Sequence, residues 1–227
     1  MKAVILACSS LAGAVAAAQK KMCTNWPVRC VDRRFHAEPK EMRLQLVRAL
    51  GEMSEETDTV LVAMGFCGGS WDSVSVSRRV VVPRADDCIT MLLNTGGAPH
   101  ENLKEPGHFY IRDSDRGRYS LEGLRESVME KYGEAEGRAL FESWFKNYTH
   151  ADIIDTGTYD SRDRDFLAEA ERGARIAGCE LRHVPGSNVV LEKLVSGRWD
   201  DLFVVAEPGE TLTCAKFFGS PARPGEN

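Results

Sequence analysis

Thr59-Val60-Leu61-Val62-Ala63-Met64 is an unbroken apolar run, and it stops at Gly65-Phe66-Cys67-Gly68-Gly69. The run is the length of a strand, too short for an independent buried helix, and the glycines mark the turn that ends it. A strand apolar on both faces belongs to a mostly parallel sheet covered by helices. The neighbouring sequence should therefore alternate short apolar runs with helical periodicity. Upstream, residues 3–7 read as a strand, 11–21 as a helix and 28–32 as a second strand. Residues 39–53 then form a helix, with Pro39 in its first turn and Met42, Leu46, Val47 and Leu50 on one face. Downstream, the strand 80–83 runs straight into Arg84-Ala85-Asp86-Asp87-Cys88, and the short helix 89–93 closes at Asn94-Thr95-Gly96-Gly97.

The second half repeats the theme. Strands fall at 108–111, 152–154, 180–184 and 201–205; helices at 121–131, 134–146, 162–177 and 189–196, with Gly178 capping the third. The fold class is α/β, a mostly parallel sheet flanked by helices with a site at the carboxyl ends of the strands. The reading is a single domain over residues 1–218, with lobes 1–97 and 107–218 as the alternative division. Residues 219–227, rich in proline and glycine, form a loose tail.

Composition narrows the classes. Across 227 residues, 43% hydrophobic and 28% charged are ordinary globular values and exclude a disordered chain. The net charge of −5 carries no basic stripe, so neither a nucleic acid nor an anionic membrane is expected as partner. Arginines over 162–175 alternate with Asp163, Asp165, Glu169 and Glu171, the pattern of a solvated helix face. Residues 1–19 superficially resemble a secretory signal, and Ile5-Leu6-Ala7-Cys8 a lipoprotein box. The apolar stretch before Cys8 is too short for that, and Ser9-Ser10 interrupt it where a helix needs its N-cap, so strand then helix is preferred. The seven cysteines are odd in number and contain no CxxC pair, which speaks against a disulfide framework and for a reducing, cytoplasmic setting.

In open α/β sheets ligands gather beyond the carboxyl ends of the strands. Cys8, Cys67 and Cys88 are each expected there, and His36 also follows a predicted strand end. Cys23, Cys30, Cys179 and Cys214 do not share that placement. Each of the three also precedes or enters an expected helix N-terminus, whose dipole favours the thiolate. Thiolates are what soft metals and iron–sulfur clusters require. Three of them on a cluster leave one position open for substrate; three with His36 make a closed tetrahedral zinc site. A single free cysteine is more often a small core hydrophobe, so the argument rests on the set. Among lesser candidates, Asp86-Asp87 fit a helix N-cap, Arg84 an anion contact or an ion pair, and Asp155-Thr156-Gly157 a turn or a cleft wall. Phe141, Trp144 and Phe145 fit a helical core face. Residues 65–69 match neither a P-loop nor a dinucleotide fingerprint.

Several segments together resemble one family. They are Ala7-Cys8, Phe35-His36, Gly65-Phe66-Cys67-Gly68, Pro83-Arg84-Ala85-Asp86-Asp87-Cys88-Ile89, Ile154-Asp155-Thr156-Gly157, Trp199-Asp200-Asp201 and Pro208-Gly209. Nearly the whole chain is similar to the prokaryotic domain-of-unknown-function family sixteen thirty-eight. The alanine-rich first helix and Asn94-Thr95-Gly96 depart from its pattern. The resemblance implies a setting beside corrinoid-dependent methyltransferases in one-carbon metabolism, and a shared site at the three cysteines. The arrangement is also similar, at the level of fold analogy, to quinolinate synthase and the 2-hydroxyacyl-CoA dehydratases.

The expectation is a cytoplasmic protein binding an iron–sulfur cluster or zinc through Cys8, Cys67, Cys88 and His36. Arg84, Asp86 and Asp155 would orient a small anionic substrate or a corrinoid cofactor. The alternatives are a non-catalytic zinc- or corrinoid-binding accessory protein for a methyltransferase, and a metal-free thiol enzyme with Cys67 as nucleophile.

Overall fold

A computed structural model describes residues 2–219; of the expected tail, 220–227 lie outside the described residues. In chain order the elements are β1 (Ala3–Cys8), α1 (Ala12–Met22), β2 (Val28–Val31), α2 (Pro39–Gly51), β3 (Thr59–Ala63), β4 (Val74–Ser75), β5 (Arg79–Pro83) and α3 (Cys88–Leu93). Then come β6 (His108–Ile111), α4 (Leu121–Tyr132), α5 (Glu134–Phe145), β7 (His150–Asp155), α6 (Arg164–Ala177) and β8 (Glu180–Pro185). The chain closes with α7 (Val189–Val195), β9 (Phe203–Ala206), β10 (Thr211–Leu212) and α8 (Cys214–Phe218).

The described residues divide into two compact units, residues 2–103 with 188–219, and residues 104–187. The first is thus discontinuous: the chain leaves it after Leu103 and returns at Asn188. Its sheet has the order β2-β1-β3-β5-β9, parallel from β2 to β5, with β9 antiparallel on the edge. Every residue of β3 is buried, as the unbroken apolar run requires of a strand covered on both sides. Alternation along the strands sorts the two faces. Leu6, Val60, Val62, Val80 and Val82 meet Met42, Leu46 and Leu50 of α2 in one apolar cluster. On the opposite side α1 and α7 pack together, α1 against β1 and α7 against β3 and β5. Asn188 donates through Nδ2 to the carbonyl of Ala14 at 2.8 Å, fixing the start of α7 to α1. The strands β4 and β10 form a two-stranded antiparallel pair.

The second unit is a parallel sheet in the order β6-β7-β8. Ile111, Ala151 and Ile153 pack against Leu121 of α4, Phe141 and Phe145 of α5 and Phe166, Ala170 and Ala174 of α6. A Cβ at Gly137 of α5 would stand 2.5 Å from the Met129 Cα of α4, so only glycine permits that helix approach. The arginines Arg162, Arg164, Arg172 and Arg175 are exposed, as a solvated face demands.

The sequence assigned two side chains to the wrong face. Val47 is 51% and Trp144 46% exposed, because each is one residue, about 100° of helical rotation, away from a buried neighbour, Leu46 or Phe145.

Candidate functional site

After β1 the chain passes to β2 on one side of it and then crosses to β3 on the other. The direction of winding reverses there, and the crevice in which such sheets bind ligands opens at the carboxyl ends of β1 and β3. Cys8 is the last residue of β1, Cys67 lies in the loop after β3, and Cys88 opens α3 after β5, the strand beside β3. All three are buried. Cys23, Cys30 and Cys214 are exposed and Cys179, in the second unit, is partly buried.

Cys8 Sγ lies 3.2 Å from His36 Nε2 and 3.0 Å from Ser10 Oγ. His36 is carried there by a 3-10 turn, Arg33–Ala37, opened by Asp32, whose carboxylate accepts from the Arg34 N–H at 2.9 Å. Ser9 Oγ accepts from the Arg33 N–H at 2.9 Å. The two serines therefore do not cap the helix that follows, as their position suggested. One anchors the histidine turn and the other touches the thiol.

Cys67 has φ +50°, a left-handed conformation that is uncommon outside glycine, and Gly68 and Gly69 continue it at +63° and +88°. Residues 68–73 form turns, so no helix follows Cys67 and its thiol receives no dipole stabilisation of the kind expected. The loop is held against the segment after β5. The Phe66 N–H donates to Ala85 O at 2.8 Å and the Cys67 N–H to Asp86 O at 2.6 Å. Gly65 makes this approach sterically feasible, since a Cβ there would meet Asp87 Cα at 2.6 Å. Asp87 caps α3 as anticipated, accepting from the Thr90 N–H at 2.9 Å.

Burial pushes the Cys67 thiol well above its ordinary value, and the nearby Cys88, Cys8 and Asp87 push it further. The physical cause is twofold: the charged form loses water, and its closest ionisable neighbours are potential anions. The three cysteines thus share one electrostatic neighbourhood. In chemistry, three thiols and an imidazole fit a soft metal. In spacing, no group of three or more His, Cys, Asp or Glu side chains among the described residues is placed to hold a metal ion, so the side chains have to draw together to bind one.

The expected substrate residues separate. Arg84 turns toward the edge of the unit, where Nε donates to Phe203 O at 3.2 Å and Nη1 to Phe217 O at 3.3 Å and to Lys216 O. Asp86 serves the loop contact through its backbone, its own N–H donating to Glu101 O at 2.8 Å. Asp155 belongs to the second unit, at the carboxyl end of β7, where it accepts from the Gly157 N–H at 3.3 Å in a turn.

Two groupings carried no sequence signal. Arg43 of α2 reaches the cysteine loop, donating through Nη2 to Gly69 O at 2.9 Å, while its Nε and the Nε1 of Trp71 are buried donors with no partner among the described residues. In the second unit, fully buried Asp152 accepts from Arg182 Nε at 2.6 Å, His108 Nδ1 lies 2.8 Å from the same carboxylate, and His150 stacks on His108 at 4.5 Å. The registers β6 to β7, with His108 opposite His150, and β7 to β8, with Asp152 opposite Arg182, assemble that group.

Comparison with known families gives one match, over residues 30–195, to the family described as Protein of unknown function (DUF1638). Neither the curated proteins nor the solved structures yield a significant match. Among the described residues no helix is long and apolar enough to cross a membrane. The chain belongs to the DUF1638 family.

Proposed function

We propose that this member of the DUF1638 family holds a soft metal centre through Cys8, Cys67 and Cys88, with an iron–sulfur cluster as the preferred occupant. The observation that carries the reading is the convergence of three buried thiols on the carboxyl edge of adjacent strands, at the point where the sheet reverses its winding. A buried thiol whose ionisation is opposed by burial and by the two thiols beside it, as that of Cys67 is, gains from a cation. A metal ion reverses that relation, because its charge favours the deprotonated sulfur that proximity and burial otherwise oppose. Zinc with His36 as fourth ligand is the closed form of the same site, and the 3.2 Å contact between Cys8 Sγ and His36 Nε2 favours it. The corrinoid and methyl-transfer setting, and a methyltransferase as partner, enter this reading from the family resemblance. A cytoplasmic location enters it from the free cysteines.

The same contact favours a second reading, a metal-free thiol protein in which His36 activates Cys8. Cys67, whose thiol is pushed well above its ordinary value, is the weaker nucleophile in that case.

Metal analysis and the visible spectrum of the full chain, purified without oxygen, separate these readings. The expected result is a brown protein with several irons per chain that loses them on Cys67→Ser. Stoichiometric zinc without colour selects the closed site. Absence of any metal, with one cysteine alkylated selectively at neutral pH, overturns the metal reading in favour of thiol chemistry.

A further inference from the structure

The same unit carries a second candidate site, a cleft of about 390 Å³ lined in part by Arg84, Pro99, Glu101, Asp201, Phe217 and Phe218. That volume is within the ~300–1,000 Å³ typical of small-molecule clefts. It is lined by one guanidinium and two carboxylates, with His100 beside them. Arg84 forms no ion pair among the described residues; its Nε and Nη1 are spent on the main-chain carbonyls of Phe203, Lys216 and Phe217. Those bonds fix the plane of the guanidinium and leave the two Nη2 donors without an acceptor among the described residues. Glu101 and Asp201, both exposed, also have no cationic partner among the described residues. Two phenylalanines share the lining. Phe217 is buried, its ring 4.7 Å from that of Phe66, and Phe218 meets the same Phe66 ring edge-on at 5.4 Å.

A ligand of one charge sign is attracted either by the guanidinium or by the two carboxylates and repelled by the other. A ligand bearing both signs on a small apolar body satisfies each group, with the carboxylate on the guanidinium edge and the ammonium toward the two acids. We infer that the cleft binds a zwitterionic amino carboxylate with an apolar or aromatic body. The inference rests on the lining of this cleft and holds whether or not the cysteines carry metal.

Calorimetric titration of the full chain with L-phenylalanine, 3-phenylpropionate and 2-phenylethylamine tests it. The three probes share the ring and differ only in charge. L-Phenylalanine is expected to bind at least tenfold more tightly than either singly charged analogue. The double variant Glu101→Gln/Asp201→Asn is expected to lose that advantage while binding 3-phenylpropionate as well as or better than the parent. Both positions are exposed, so the variant keeps the fold, whereas Arg84→Gln also releases α8 and serves only as a supporting measurement. Equal affinity for L-phenylalanine and 3-phenylpropionate, tighter binding of the amine, or no heat from any probe at millimolar concentration overturns the inference. The same titration repeated on Cys67→Ser is expected to be unchanged, which keeps its outcome separate from that of the metal reading.

Discussion

Gly65→Ala is the most direct probe of how the cysteine loop is built. A Cβ at this position lies 2.6 Å from Asp87 Cα, 2.8 Å from Asp87 N and 2.9 Å from Ala85 O. All three are backbone atoms, so no side-chain rotation relieves the clash, and the segment 85–87 has to retreat by about 1 Å to reach ordinary carbon contact. That retreat stretches the two bonds joining the loops, from the Phe66 N–H to Ala85 O at 2.8 Å and from the Cys67 N–H to Asp86 O at 2.6 Å. Each such bond contributes about 0.5–1.5 kcal/mol net, and overpacking costs about 1–3 kcal/mol. Reduced freedom of the unfolded chain returns about 0.4–1 kcal/mol. The expected net loss is about 2–4 kcal/mol, read as a lower urea midpoint at unchanged slope. Thiol titration of the native protein should show Cys67 reacting faster as its cover opens. Gly51→Ala is the control: nothing lies within 4 Å of its Cβ, and it should be neutral or slightly stabilising. A Gly65→Ala protein that unfolds at the parental midpoint, with Cys67 still protected, refutes the close approach of the two loops.

Asp115→Asn removes the carboxylate that receives buried Arg112 through Nε and Nη2, both at 3.0 Å. Loss of this bidentate carboxylate beside a buried guanidinium should cost about 3–5 kcal/mol in urea unfolding. Asp152→Asn should cost less, about 1–3 kcal/mol, because Arg182 is partly exposed and can turn to water. The Cys67 thiol has a folded pKa above its ordinary 9.0, so the stability it contributes is full below pH 9.0 and is lost as pH rises through the folded value. Metal-free protein should therefore lose up to about 1.4 kcal/mol per pH unit between pH 9.0 and the folded value, and Cys67→Ser should flatten this loss in pH-dependent denaturation. An alkaline slope identical in the two proteins counts against the buried thiol.

The alternation of strand and helix was readable except for the short elements β4, β10 and α8, because each of the others carries its own signal. Pro39 opens α2, Asp87 caps α3, Gly178 closes α6, and β3 is apolar throughout. The family could also be read from the cysteine motifs. Features that depend on register or on the path of the chain were not readable. The return to the first unit at Asn188 rests on packing of α7 against α1, for which no local residue pattern is diagnostic. His36 was legible only as a residue after a strand; its contact with Cys8 depends on the turn that Ser9 and Asp32 hold. The dipole argument failed at Cys67 because the left-handed backbone of Gly68 and Gly69 continues the turn and opens no helix. Arg84 was legible as a cation near the site, but not its capture by carbonyls of β9 and α8.

A purely structural account of Cys67 must explain why a cysteine occupies a left-handed position between residues that already include three glycines. Glycine adopts φ +50° without penalty, whereas a side chain there costs on the order of 1 kcal/mol. The side chain's contribution as a small hydrophobe offsets that strain at best, since burying one sulfur-bearing carbon is worth a similar amount. Packing alone thus gives little reason for cysteine here. Its thiol is moreover buried beside Cys8 and Cys88, where neither the neutral thiol nor the free thiolate gains from the proximity of the other two. Both costs become intelligible if the sulfur acts as a ligand. The left-handed backbone holds Cys67 in the loop after β3 near Cys8 and Cys88, and the crowding of thiols that opposes its ionisation in the free protein is what a soft cation would exploit.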